Sequence, residues 1–200
     1  IMSWIADEYS TLKGEWSPGI VTGKPIEVGG SLGRNEATGR GCLIALQCYL
    51  AKKGFEVTAL DIQTMSLAHL QQIAEEEGLA IQVEPYNIES ADIPGGLYNA
   101  IISTVVLMFL NPDSISDVIE NMQSHTVPGG YNLIVAAMST EDAPCPVNFP
   151  KTFASGELKE YYKDWTFHKY NEDFGQLHKL DEHGNRIRMR FVTMLAQKPK

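Results

Sequence analysis

Basic residues are scarce through the middle of this 200-residue chain: positions 52–150 hold only Lys52 and Lys53 against 13 acidic side chains. The first 51 residues are nearly balanced, with 4 basic and 5 acidic groups, and the last 50 reverse the sign, with 10 basic and 7 acidic. A net charge of −9 excludes a general nucleic-acid binder, which needs a basic face against phosphates. Basic charge gathered in the last quarter suits attraction of a small anion. A solvated surface would read the same way.

Long apolar runs are also missing. The longest, 101–110, is broken by Ser103 and Thr104 and falls short of the roughly 18 residues a membrane helix needs. No basic-then-apolar leader pattern opens the sequence, so it reads as cytoplasmic, with no membrane partner. Cysteine is sparse: Cys42, Cys48 and Cys145 are odd in number and lack metal-ligand spacing. They predict reduced, mostly buried thiols and no metal site. A hydrophobic content of 44% suits one globular core.

What is present is an alternation of strand and helix patterns. Residues 26–28 read as a short strand running into Gly29-Gly30-Ser31-Leu32-Gly33. A helical pattern follows over 36–53, stopped by Gly54. Strands are expected at 55–60, 80–85, 99–104 and 131–138, with helices at 65–77, 113–125 and 155–162. Pro128-Gly129-Gly130 reads as a turn. Strands at 165–170 and 186–196, joined through a turn at 181–185, predict a closing hairpin. The fold class is therefore α/β: a Rossmann-like sheet, mostly parallel, with a C-terminal antiparallel hairpin. Small-molecule methyltransferases share that layout.

Such a sheet binds its nucleotide at the carboxyl ends of its strands, often through a glycine turn and an acid on the ribose. Asp61, closing Val57-Thr58-Ala59-Leu60, suits the acid. The glycine turn has two registers: Gly33 lies 28 residues before Asp61, whereas Gly41 lies 20 before it but has no strand ahead. We take Gly29, Gly30 and Gly33 as the loop. Ser31 then places a Cβ where backbone should approach a ligand. In the hairpin, Arg186, Arg188 and Arg190 alternate and share one strand face. With His178 and Lys179 they could hold an oxyanion. They could equally protect an exposed sheet edge.

Longer motifs are more specific. Ser103-Thr104-Val105-Val106-Leu107-Met108-Phe109-Leu110, Gly129-Gly130-Tyr131-Asn132-Leu133-Ile134-Val135-Ala136-Ala137-Met138, Leu177-His178-Lys179 and Gly184-Asn185-Arg186-Ile187 stand in order. Over about residues 52–198 the chain resembles the tellurite-resistance (TehB-type) methyltransferase family. The resemblance implies a class I fold, S-adenosylmethionine as cofactor and methylation of a tellurium or selenium oxyanion. It implies His178, Lys179 and Arg186 as the catalytic basic cluster. It further implies cofactor contacts from Asp61, Ile62, Asn87, Ile88, Ser103 and Thr104, with Gly29, Gly30, Gly33, Arg34 and Asn35 in the loop. Residues 1–25 would be an N-terminal arm and 26–200 one methyltransferase-like domain.

The first 50 residues carry a second likeness. Val21-Thr22-Gly23-Lys24-Pro25 and Gly29 through Gly41 resemble a glutamate dehydrogenase segment. That family's catalytic lysine lies upstream and has no counterpart here. The helix after Asn35 is about 11 residues longer than the methyltransferase family has, close to three turns. Two alternatives follow: an inactive methyltransferase-like chimera with impaired cofactor binding, or a dinucleotide-binding dehydrogenase fragment. A glycine-rich arm used for assembly would give a homo-oligomer.

Overall fold

The computed structural model of the chain describes residues 47, 49–180 and 184–200, with the backbone alone for 178–180. Residues 49–52 are helical and stop at Gly54. There φ is +86° and the backbone N–H donates to Ala51 O at 2.9 Å. Strand β1 (Val57–Asp61) leads into helix α1 (Thr64–Glu77), which buries Leu67, Leu70 and Ala74 on one face. Gly78 ends that helix in the left-handed region, and the Leu79 N–H returns to Ala74 O at 2.8 Å. Strand β2 (Ile81–Pro85) then pairs parallel to β1, from Val57 opposite Ile81 to Asp61 opposite Pro85.

The remaining strands form one four-stranded sheet. Strand β3 (Tyr98–Thr104), helix α2 (Ile115–Ser124) and strand β4 (Thr126–Ala137) make a parallel crossover. Helix α3 (Glu157–Tyr161) precedes the hairpin of β5 (Thr166–Leu180) and β6 (Arg186–Gln197). Sheet order is β3-β4-β6-β5, with both pairings of β6 antiparallel. Among the described residues β1-β2 is a separate two-stranded sheet. The strand expected at 26–28, the loop at 29–33 and the domain start at residue 26 lie outside the described residues.

The core sits on one face of the larger sheet. Ile134 and Ala136 of β4 and Val192, Met194 and Ala196 of β6 have no exposed surface. They pack with Phe153, Leu158 and the α2 residues Ile115, Val118, Ile119 and Met122. The α2 spacing of i, i+3, i+4 and i+7 is what makes it amphipathic. One polar network is enclosed there. Thr126 Oγ1 contacts Met122 O at 2.7 Å and Asn132 Oδ1 at 2.8 Å, and Asn132 Nδ2 donates to Tyr162 Oη at 2.9 Å. Burial pushes the Tyr162 hydroxyl far above its ordinary pKa, so it stays neutral.

Three expectations are corrected. Pro128-Gly129-Gly130 is not a turn but a bulge inside β4: Tyr98 pairs with Thr126, yet Ala100 pairs with Tyr131. Gly130 is required there because a Cβ would come within 2.9 Å of Asn99 O and Val127 O. The first hairpin strand also runs ten residues past Tyr170, because pairing with β6 overrides the weak strand preference of Asn171, Asp173 and Gly175. The helix expected at 155–162 shortens to α3. Cys145 is a half-buried free thiol, and Cys42 and Cys48 lie outside the described residues.

Candidate active site

Parallel pairing brings the carboxyl ends of the strands to common edges. Asp61 closes β1 beside Pro85 of β2, and Thr104 closes β3 beside Val135 of β4. Asp61 Oδ1 accepts the Gln63 N–H at 2.8 Å. Its second oxygen has no partner among the described residues. Ile62 follows, 66% exposed. The Tyr86 N–H donates to Asp61 O at 3.1 Å, which sets Asn87 next to the same strand end. Asn87 Oδ1 accepts the Glu89 N–H at 3.2 Å and caps a short 3-10 turn (Ile88–Ser90). Ile88 is half-buried and packs against the core.

At the end of β3, Ser103 is buried and its hydroxyl has no hydrogen-bond partner. Val105 follows Thr104 with φ at +60°, a region β-branched residues avoid. The Val105 N–H is held by Val135 O at 2.7 Å. The orphaned Ser103 hydroxyl and the strained Val105, two residues apart, mark this strand end.

The hairpin projects beyond the end of β4. On β6, Met189 is buried while Arg186 and Arg188 are exposed, so the expected alternation holds. The guanidinium groups of Arg188 and Arg190 lie 4.3 Å and 4.5 Å from the centre of the Phe174 ring. His178 and Lys179 belong to the backbone of β5, but their side chains lie outside the described residues. Gly29, Gly30, Gly33, Arg34 and Asn35 do so entirely.

A polar cluster that sequence reading missed surrounds Arg190. Its Nη1 donates to Glu172 O at 2.8 Å and its Nη2 to Asp142 Oδ2 at 2.5 Å. The Glu172 carboxylate accepts from Ser155 Oγ, the Gly156 N–H and Tyr170 Oη. Burial acts to raise its pKa, but these donors and Arg190 outweigh that and hold it below the ordinary value. Burial, with the hydrogen bond to Glu172, pushes the Tyr170 hydroxyl well up. Arg190, Glu172, Asp142 and Ser155 line a cleft of about 490 Å³ with Ser139, Thr140 and Glu141. Arg190 shared the alternation with Arg186, but Asp142 lies 48 residues away and no local spacing joins them.

The family model described as "Tellurite resistance protein TehB" matches residues 20–195. The chain belongs to the TehB family. That span opens ahead of the glycine stretch, earlier than the start near Lys52 indicated by the motifs. The "Probable S-adenosyl-L-methionine-dependent methyltransferase TehB" of Haemophilus influenzae (strain 10810) is 50% identical over 175 residues, which are 88% of this chain and 57% of that protein. The crystal structure of TehB from Haemophilus influenzae superimposes with a TM-score of 0.72 at 55% identity, covering 75% of this chain and 52% of that one. The chain therefore spans about half the length of the TehB relatives it matches. The shared fold is the Rossmann-like methyltransferase fold. The second likeness is a short partial match: the NAD-specific glutamate dehydrogenase of Clostridioides difficile is 43% identical over 70 residues, 35% of this chain and 17% of that enzyme. No described helix of this TehB-family chain is long and apolar enough to cross a membrane.

Proposed function

We propose that this chain is an S-adenosylmethionine-dependent methyltransferase acting on a small oxyanion such as tellurite or selenite. The observation that carries the reading is the pair of incompletely bonded polar groups at the carboxyl ends of β1 and β3. Asp61 keeps one carboxylate oxygen without a described partner, and Ser103 keeps a buried hydroxyl without any. These suit a ligand with a vicinal diol and a polar tail. When bound, S-adenosylmethionine supplies a methyl group made electrophilic by its sulfonium.

Each residue then has a physical task. Asp61 accepts from the ribose hydroxyls through charge-assisted hydrogen bonds. Exposed Ile62 offers an apolar face to the adenine, and Asn87 a neutral polar edge. Ser103 and Thr104 hold the amino-acid end; Gly29, Gly30, Gly33, Arg34 and Asn35 lie outside the described residues. Arg186 grips the acceptor anion with planar donors. His178 and Lys179 balance its charge and take up a proton. Alignment of acceptor and methyl, with water excluded, supplies the main rate gain.

The test incubates the full chain with methyl-labelled S-adenosylmethionine and sodium selenite or tellurite, and follows label into methylated selenium or tellurium oxyanion. Selenite- or tellurite-dependent label transfer supports the reading. Cofactor that binds yet transfers no label to either anion overturns the acceptor assignment.

A further inference from the structure

We propose that the cleft beside Arg190 is a docking site for a small oxyanion or carboxylate, and that Asp142 is the group such an anion displaces. The proposal deepens the oxyanion reading and rests on it for its functional meaning, but the binding can be measured without any cofactor.

The geometry begins with the donors of one guanidinium. Nη1 is committed to Glu172 O, and the plane lies against Phe174. The remaining edge, Nε with Nη2, presents two parallel donors, the arrangement that matches two oxygens of one anion. Asp142 uses half of that edge: its Oδ2 meets Nη2, while the buried Nε has no partner. A charged donor left unsatisfied out of water is an unfavourable arrangement that a bidentate anion would relieve.

Asp142 is suited to leave. Its side chain is 69% exposed, and its other oxygen accepts from the neighbouring Thr140 hydroxyl at 2.7 Å. It sits in a tight loop closed by Thr140 and Ala143. Turning outward leaves its carboxylate in water. An incoming monoanion then replaces one negative charge by another, so the charge facing Glu172 is unchanged. Glu172 does not compete for the guanidinium edge, because Ser155, Gly156 and Tyr170 occupy its oxygens. Room is sufficient: the cleft of about 490 Å³ far exceeds the roughly 30 Å³ of a water. Hydroxyl-bearing Ser139, Thr140 and Ser155 line it. Arg190 also shares its strand face with Arg186, so the site continues the basic stripe of the hairpin.

The test is a titration of the ¹⁵N-labelled full chain, without cofactor, reading the arginine Nε–H resonance that disappears in Arg190→Lys. Sodium selenite and sodium acetate are the two arms, and sodium chloride is the control. We expect a saturable shift of that resonance with selenite, acetate or both. The midpoint should fall about fivefold to tenfold in Asp142→Asn, where the resident charge is gone. Saturation by one arm alone assigns the site to that anion class. A response no larger than with chloride in both wild type and Asp142→Asn would overturn the proposal, as would an unchanged or weaker midpoint in Asp142→Asn. If Arg190→Lys does not fold, through-bond assignment identifies the Arg190 Nε–H resonance and the comparison stands. Selenite methylation whose selenite dependence is unaltered in Asp142→Asn would defeat this site alone. Absence of cofactor binding would defeat the proposed function while leaving the titration intact.

Discussion

In the four-stranded sheet, Ile134, Ala136, Val192, Met194 and Ala196 are wholly enclosed, with α2, Phe153 and Tyr162 packed over them. In the β1-β2 pair only Ala59 and Ile81 are buried among the strand residues, while Phe55, Ile62 and Met65 around it stand 59–66% exposed. Both regions are strand-and-helix units, yet one is filled by its own side chains and the other leaves apolar groups beside an incompletely paired acid. The contrast separates where stability resides from where recognition is expected.

The strongest way to break the comparison is to hollow out the filled region. Phe153→Ala should lower the unfolding free energy by about 3–5 kcal/mol, read by urea denaturation. A loss below about 1 kcal/mol would show that the core is not where stability lies. Next comes the enclosed polar network. Tyr162→Phe strands Asn132 Nδ2 and should destabilise by about 1–3 kcal/mol; a neutral result would mean the amide finds another partner.

A third experiment uses pH. The Glu172 carboxyl is depressed in the folded chain, so its contribution is present above the unfolded value, 4.5, and is lost as pH falls through the folded value. The melting-temperature gap between wild type and Glu172→Gln should therefore be largest near neutrality and close on acidification below about pH 4.5. A gap that widens in acid would reverse the assigned sign. The smallest effect is expected in the open region: Phe55→Ser should change stability by no more than about 0.5 kcal/mol, and a larger loss would show that Phe55 is covered.

The sequence announced some of this. The α2 stripe Ile115, Val118, Ile119 and Met122 has helical spacing, Gly54 and Gly78 mark their helix ends, and Asp61 ends its strand as expected. Other features depend on remote partners. Pro128-Gly129-Gly130 looks like a turn until Asn99 is set against it. The far half of β5 is polar and glycine-bearing, and becomes strand only through Arg188 and Arg190 opposite Gln176 and Phe174. Of the site, the Asp61 end and the arginine alternation were legible locally. The Asp142–Arg190 contact joins a loop to a strand and leaves no periodic trace.

The most direct test of the central claim is calorimetric titration of S-adenosylmethionine into the wild-type chain and Asp61→Ala. The account predicts saturable heat for wild type and an affinity about tenfold or more weaker for the variant, with only a small fall in melting temperature from the lost Gln63 N–H bond. No heat from wild type at about millimolar cofactor, or equal affinity in Asp61→Ala, would contradict it.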